Sequence, residues 1–169
     1  MPLIVSTDLV NCEETDMKST LHDYLMRKDA PLPFSLPAWI SLAPFEEFLG
    51  MSIDKAAKGK ATLSMPFRAS LCQGAGLMHG GAVVSLADTA LAIAIKTLLP
   101  EGTQFATIDM ALKFHAPVRW GVVTANAIVT ERTEMDIRGE AEVITEDGIK
   151  AATFKAVFRI KKERKDFQL

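Results

Sequence analysis

One aspartate lies in the middle of a long, otherwise apolar stretch of this sequence. Asp88 stands between Ala82 and Leu98, where alanine, valine, leucine and isoleucine dominate, and such a profile is typical of a helix buried in a core. Removing a carboxylate from water is costly unless the group is paired or its pKa rises. Asp88 is therefore either a structural carboxylate bonded to a neighbouring element or a group used in a reaction.

A pair of glycines marks the predicted start of the same helix. Unpaired N–H groups at a helix start can bind an oxyanion or a carbonyl oxygen, and Gly80 and Gly81 would let a ligand come close to the backbone. The same glycines are compatible with a simple turn, and His79 before them is either a helix cap or an acid–base group. A donor at the helix start and a carboxylate two turns later could serve one substrate, within one chain or across a dimer.

Composition excludes several other kinds of chemistry. The 169 residues carry 19 basic and 21 acidic side chains, a net charge of −2, so the chain has no basic footprint for nucleic acid. Cys12 and Cys72 are too few for a disulfide scaffold or a cysteine zinc site, and no glycine-rich loop has the surroundings of a nucleotide-binding motif. We therefore expect no metal, no cofactor and no nucleic acid partner.

The sequence predicts neither a secretory leader nor a membrane span. The first ten residues lack the positive charge of a secretory signal, and acidic residues follow at once. The most apolar stretch, Gly80 to Leu99, is interrupted by Asp88 and Lys96, whereas a spanning helix needs about 20 mostly apolar residues. These features predict a cytoplasmic protein with no membrane contact.

Hydrophobic periodicity predicts one long helix and a run of strands around it. We expect an N-terminal appendage over 1–40 with a short helix at 15–28, a domain over 41–162 and a charged tail over 163–169. The domain should contain helices at 39–49 and 82–98, two strands within 51–67, and strands at 105–116, 120–131, 135–145 and 149–160, with a two-residue turn at Asp147-Gly148. Strict alternation would place Ala106, Ile108, Met110, Leu112 and Phe114 on one strand face.

A curved antiparallel sheet wrapped around the apolar helix, an α+β architecture, satisfies this order of helices and strands. The open edges of such a sheet favour pairing with a second copy.

The segment from Gly76 to Ala90 resembles the signature of hotdog-fold acyl-CoA thioesterases, in the branch of the phenylacetate-degradation thioesterase. The resemblance is carried by the His79-Gly80-Gly81 turn and by an acid nine residues after the histidine. A later stretch from Thr107 through Phe114 to Pro117 is similar to the family's next strand and its closing proline. The likeness covers residues 45–160 and implies the hotdog fold, a curved antiparallel sheet around one long central helix.

The family positions that match this sequence imply a role for each site residue. Asp88 matches the catalytic general base or nucleophile, and Gly80 matches the glycine whose backbone N–H polarises the thioester carbonyl. In the family these two groups come from opposite subunits, which implies a homodimer with interfacial sites or a homotetramer built from it. Thr107 matches a position that helps to place water or substrate. Gln73 stands where many members have asparagine, and it completes the predicted substrate-binding residues together with His79 and Gly81.

Hydrolysis of an acyl-CoA thioester to a carboxylic acid and CoA is the activity that this resemblance implies. The alternatives are a hotdog module that binds acyl-CoA without hydrolysing it, as a sensor or carrier, and a hotdog hydratase. Met78, Met110 and residues 45–55 are candidates for an apolar acyl pocket. Arg119, Lys113 and the basic tail are candidates for binding the CoA phosphates.

Overall fold

The structure, a computed structural model, describes residues 38–161. Its elements are helices α1 (Pro44–Leu49) and α2 (Gly80–Lys96), a 3₁₀ turn at Ala69–Leu71, and strands β1 (Ser52–Ala57), β2 (Lys60–Pro66), β3 (Phe105–Phe114), β4 (Val122–Arg132), β5 (Asp136–Ile144) and β6 (Lys150–Ile160). The predicted helix at 15–28 and the tail at 163–169 lie outside the described residues. Between residues 38 and 161, no helix has the length and apolar character needed to cross a membrane.

The six strands form one antiparallel sheet that curves around α2. Their order is β1-β2-β4-β5-β6-β3, so β1 and β3 are the edges. Short turns join β4 to β5 and β5 to β6, and α2 with its flanking loops carries the chain from β2 across to β3. This arrangement confirms the predicted α+β hotdog architecture.

The core lies between α2 and the concave face of the sheet. Leu86, Leu91 and Ile95 of α2 are fully buried, and they pack with Phe154 and Phe158 of β6. Burying a large apolar side chain stabilises the fold by about 1.5–3 kcal/mol, so this contact surface fixes the position of α2. Because the alanine side chains of the helix are small, its backbone lies close to the sheet. This close packing also fixes how deeply the Asp88 side chain is buried.

A glycine in β5 allows this close approach. A Cβ built at Gly139 would overlap Cδ1 of Leu91 and would lie 2.7 Å from the carbonyl oxygen of Ile128 on the neighbouring strand. Gly139→Ala is therefore expected to lower the free energy of unfolding by about 1–3 kcal/mol, measured by urea denaturation. Gly74→Ala is the matched control, because a Cβ at Gly74 has no heavy atom within 4 Å. Equal stability of the two variants would contradict this account of the packing.

Helix α1 is shorter than predicted, and residues 39–43 are not helical. Pro44 occupies the first helical position, and the Glu46 carboxylate accepts the Ala43 N–H at 2.9 Å, which fixes the start of the helix there. Trp39 instead packs against the end of α2, where its Nε1 donates to the Lys96 carbonyl at 3.0 Å. Helix α2 itself begins two residues before the predicted 82, because His79 caps it.

The predicted face assignment for β3 is wrong in its first half. Phe105 and Leu112 both pack against the core although their positions differ by seven, an odd number that strict alternation forbids for one face. A register shift between Thr107 and Asp109 in the pairing with β6 explains the difference. This bulge turns Thr107 toward α2, and Ala106 lies on the outside.

The turn between β5 and β6 is one residue longer than predicted. The Thr145 N–H donates to the Ile149 carbonyl at 2.9 Å, so three residues rather than two make the connection. Gly148 supplies the positive φ of 81° that such a turn requires.

Candidate active site

The start of α2 presents two glycine N–H groups, and only one of them is bonded. His79 is the N-cap, and its Nδ1 accepts the Gly81 N–H at 2.9 Å. The Gly80 N–H makes no hydrogen bond within residues 38–161. Because Nδ1 is an acceptor here, the neutral His79 ring carries its proton on Nε2 and can donate from there. The helix start therefore offers the Gly80 N–H to a ligand, and the Gly81 N–H is taken up by the cap.

Phe114 of β3 lies against the backbone of Gly80. A Cβ built at Gly80 would lie 2.9 Å from Cζ of Phe114, so glycine is what lets the ring come this close. The Phe114 side chain is 54% exposed. An apolar surface therefore borders the free N–H on the side of the β3 edge.

The structure brings together Asp88 and Thr107, two of the residues that the sequence singled out. The Thr107 hydroxyl donates to Oδ1 of Asp88 at 3.1 Å, an arrangement that the bulge in β3 makes possible. Burial raises the pKa of Asp88 above its ordinary value, and the hydrogen bond from Thr107 acts in the opposite direction with a smaller effect. A carboxylate with a raised pKa is a stronger base than an exposed aspartate, and its Oδ2 has no hydrogen-bond partner within the described chain.

Asp88 lies on the one face of α2 that the sheet does not cover. Gly81, Ser85, Asp88 and Ala92 follow helical spacing along this face and are half-buried or exposed. Asp88 follows Gly80 by eight positions, which corresponds to about 12 Å along the helix axis. Within one chain, therefore, the free N–H and the carboxylate cannot contact the same carbonyl group.

A cavity of about 380 Å³ opens between α1 and the start of α2, and we call it the α1 cavity. Residues from α1, from the 3₁₀ turn with its following residue and from the first turns of α2 line it: Phe45, Leu49, Ser70, Leu71, Cys72, His79, Gly81, Ala82 and Ser85. Sequence reasoning placed an acyl pocket partly at residues 45–55, and Phe45 and Leu49 do line this cavity. Their spacing of four residues indicates only an apolar helix face, and the sequence predicts no site role for Ser70, Leu71 or Ser85.

The other predicted residues do not line the α1 cavity. Met78 is 6% exposed and belongs to the core, and Met110 is 48% exposed on the edge strand β3, so neither lines the cavity. The Gln73 side-chain oxygen accepts the Ala75 N–H at 2.7 Å and stabilises its own loop, which leaves its NH₂ group available. Lys113 and Arg119 are exposed, and a role for them in phosphate binding stays a prediction.

Comparison with known proteins identifies the family. The thioesterase superfamily matches residues 75–152. A protein of Halobacterium salinarum named "Putative esterase" is 30% identical over 103 residues, which is 58% of this chain and 68% of that protein.

Among solved structures, a mutant form of the phenylacetic acid degradation protein PaaI of Thermus thermophilus is 28% identical to this chain. Its TM-score is 0.64, and the match covers 69% of this chain and 98% of that chain. The PaaI protein of E. coli is 25% identical with a TM-score of 0.66 over 71% and 86% of the two chains. The chain thus belongs to the thioesterase superfamily, in its hotdog-fold, PaaI-like branch, as the His79–Asp88 motif predicted.

Proposed function

We propose that this chain is a cytoplasmic acyl-CoA thioesterase that works as a homodimer. Membership of the thioesterase superfamily supports hydrolysis of a thioester, and the geometry around Asp88 supports a specific mechanism. The observation that carries the proposal is a half-buried carboxylate with a raised pKa on the uncovered face of α2. The same helix begins with an N–H that has no partner in residues 38–161.

In the proposed reaction, Asp88 accepts a proton from a water molecule as the water oxygen attacks the thioester carbon. Negative charge develops on the carbonyl oxygen, where the Gly80 N–H at the positive end of α2 stabilises it. Collapse of this tetrahedral species breaks the carbon–sulfur bond and releases CoA as its thiolate. The proton held by Asp88 passes to this thiolate, directly or through water, which restores the Asp88 carboxylate. The acyl group leaves as a carboxylic acid. Direct attack by Asp88 followed by hydrolysis of the anhydride is the alternative route to the same products.

The separation of the two groups supports a site shared between two protomers. Gly80 and Asp88 of one chain are about 12 Å apart along α2, so one carbonyl can contact both only if they come from different copies. The edge strand β3 is the surface where we place the second copy. It presents ten residues with an unpaired outer edge in the described chain, and Ile108, Met110 and Phe114 are 48–54% exposed along it. An exposed apolar edge of this length favours pairing with another strand.

Release of free thiol from acyl-CoA substrates tests the proposal. The purified protein is expected to release thiol, detected with a thiol-reactive dye, and to sediment as a dimer or as a tetramer made of two such dimers. Saturable acyl-CoA binding without thiol release would identify the non-catalytic binding module instead, and loss of enoyl-CoA absorbance would identify a hydratase. A fully active monomer would contradict the shared site.

A further inference from the structure

The α1 cavity adjoins the place where the proposed function puts the thioester carbonyl. His79 and Gly81 precede and follow Gly80 in the sequence, and both line the cavity. A carbonyl oxygen bound by the Gly80 N–H therefore has its carbon close to the cavity wall. The acyl chain and the sulfur of CoA are the two groups attached to that carbon, and either of them can reach the cavity.

The walls of the α1 cavity suit an apolar group. Leu49, Leu71 and Ala82 are 6–8% exposed, and they form its apolar lining with Phe45 at the rim. Phe45 is 57% exposed, so an apolar occupant would remove its ring from water, which is favourable in proportion to the area buried.

Several polar atoms in the cavity wall are already bonded within the chain. The Ser85 hydroxyl donates to the Gly81 carbonyl at 2.9 Å, and the Cys72 thiol donates to the Arg68 carbonyl at 3.4 Å. Nδ1 of His79 is occupied by the Gly81 N–H. Within residues 38–161, His79 Nε2 and the Ser70 hydroxyl are the side-chain polar groups of the wall that have no hydrogen-bond partner. The pantetheine arm of CoA carries amides that lose free energy when they are buried without partners, whereas a hydrocarbon chain needs none.

We propose that the α1 cavity binds the acyl group and that Phe45 sets the size of the acyl group that the enzyme accepts. This assignment rests on the proposed thioesterase function. The volume of about 380 Å³ lies near the lower end of the range of about 300–1,000 Å³ that is usual for small-molecule pockets. The cavity therefore fits a medium-length or single-ring acyl group, and a complete long chain would extend beyond Phe45 at its open rim.

The acyl preference of Phe45 variants tests this assignment. We would measure kcat/KM for butanoyl-, octanoyl- and hexadecanoyl-CoA with the full-length protein. Wild type is expected to prefer octanoyl-CoA, and Phe45→Ala is expected to raise the hexadecanoyl-to-octanoyl ratio by about tenfold or more, since each methylene in an apolar pocket changes the rate by at least about tenfold. Phe45→Trp is expected to shift the preference toward butanoyl-CoA. Phe48→Ala is the matched control, because Phe48 lies on the same helix, is 74% exposed and does not line the cavity.

Two results would overturn the assignment, and a third would instead contradict the proposed function. An equal change of kcat/KM for all three substrates in Phe45→Ala, together with weaker inhibition by free CoA, would place the pantetheine arm in the cavity. An identical shift of the acyl preference in Phe48→Ala would mean that the effect does not come from the cavity. Absence of thiol release from every substrate by the wild-type protein would contradict the thioesterase proposal itself. Circular dichroism of each variant is the control for folding.

Discussion

Replacing Asp88 by asparagine is expected to lower kcat for thioester hydrolysis by about 100- to 10,000-fold, the range usual for loss of a general base. Asparagine has the same shape, and its Oδ1 can still accept the hydrogen bond from Thr107, but its amide neither takes a proton from water nor attacks a thioester. The measurement is thiol release from octanoyl-CoA at saturation. Unchanged kcat in a folded Asp88→Asn variant would remove Asp88 from the chemistry.

The exposed pair of Asp54 and Ser64 provides a matched control. The Ser64 hydroxyl donates to Oδ1 of Asp54 at 3.0 Å, which repeats the hydroxyl–carboxylate contact of Thr107 and Asp88 on the surface of the sheet. Asp54→Asn therefore makes the same chemical change in the same kind of contact, without the burial. We expect its kcat to equal that of wild type, and a comparable loss would mean that the effect at Asp88 is not specific.

The same substitution at Asp88 is expected to make the fold more stable at neutral pH. Burial raises the pKa of Asp88 in the folded chain, so the folded protein binds more protons than the unfolded chain between the two pKa values. The free energy of unfolding contributed by this group therefore falls as the pH rises through that interval, and at pH 7 the folded protein bears the full cost of a buried charge. Asp88→Asn removes that cost. Thermal denaturation should show a higher Tm than wild type at pH 7 and a smaller difference near pH 4.

The raised pKa also sets the acid limb of the pH–rate profile. Asp88 must be ionised to act as a base, so activity falls as the pH drops through its folded pKa. Because burial raises that pKa, we expect the acid limb at a higher pH than an exposed aspartate would give.

The sequence was sufficient to predict the long helix, the strands around it and most of the candidate site. The long apolar run around Asp88 predicts a buried helix, because a helix that is apolar on nearly every side must be covered by the surrounding sheet. The glycines before the run identify the start of this helix. The sequence was not sufficient to predict the bulge in β3. Ala106, Ile108 and Met110 alternate with polar residues as a regular strand would, and the irregularity arises from the pairing of Thr107 with Phe158 and of Asp109 with Val157 on β6.

The α1 cavity illustrates a second limit. Its lining comes from α1, from the 3₁₀ turn with the residue after it and from the first turns of α2, segments that are distant in sequence. Phe45 and Ser70 belong to no motif, and Ser85 lies within the Gly76–Ala90 signature without a predicted role. What these residues share is a position around the cavity rather than a spacing along the chain. Only the packing of α1 against α2 brings them together.

Replacing Gly80 by proline is expected to lower kcat by about 100- to 1,000-fold, as loss of one oxyanion donor does. Gly80 is the first residue of α2, the helix position that proline prefers. His79 before it already has the extended backbone that precedes proline, with φ −62° and ψ 135°. Proline therefore removes the N–H and preserves the helix. Gly80→Ala is the matched control, since it adds a Cβ near Phe114 but keeps the N–H, and it should retain most of the activity.

Mixing the two inactive variants distinguishes a site within one chain from a site shared between two. In a dimer of one Asp88→Asn protomer and one Gly80→Pro protomer, one shared site receives both intact groups and the other receives neither. Random re-association of equal amounts makes half of the dimers mixed, so activity should return to about a quarter of the wild-type level. A site contained within one chain would instead lack one group in every protomer and would stay inactive after mixing. Recovery of activity would therefore show that Gly80 and Asp88 act on the same thioester from opposite protomers.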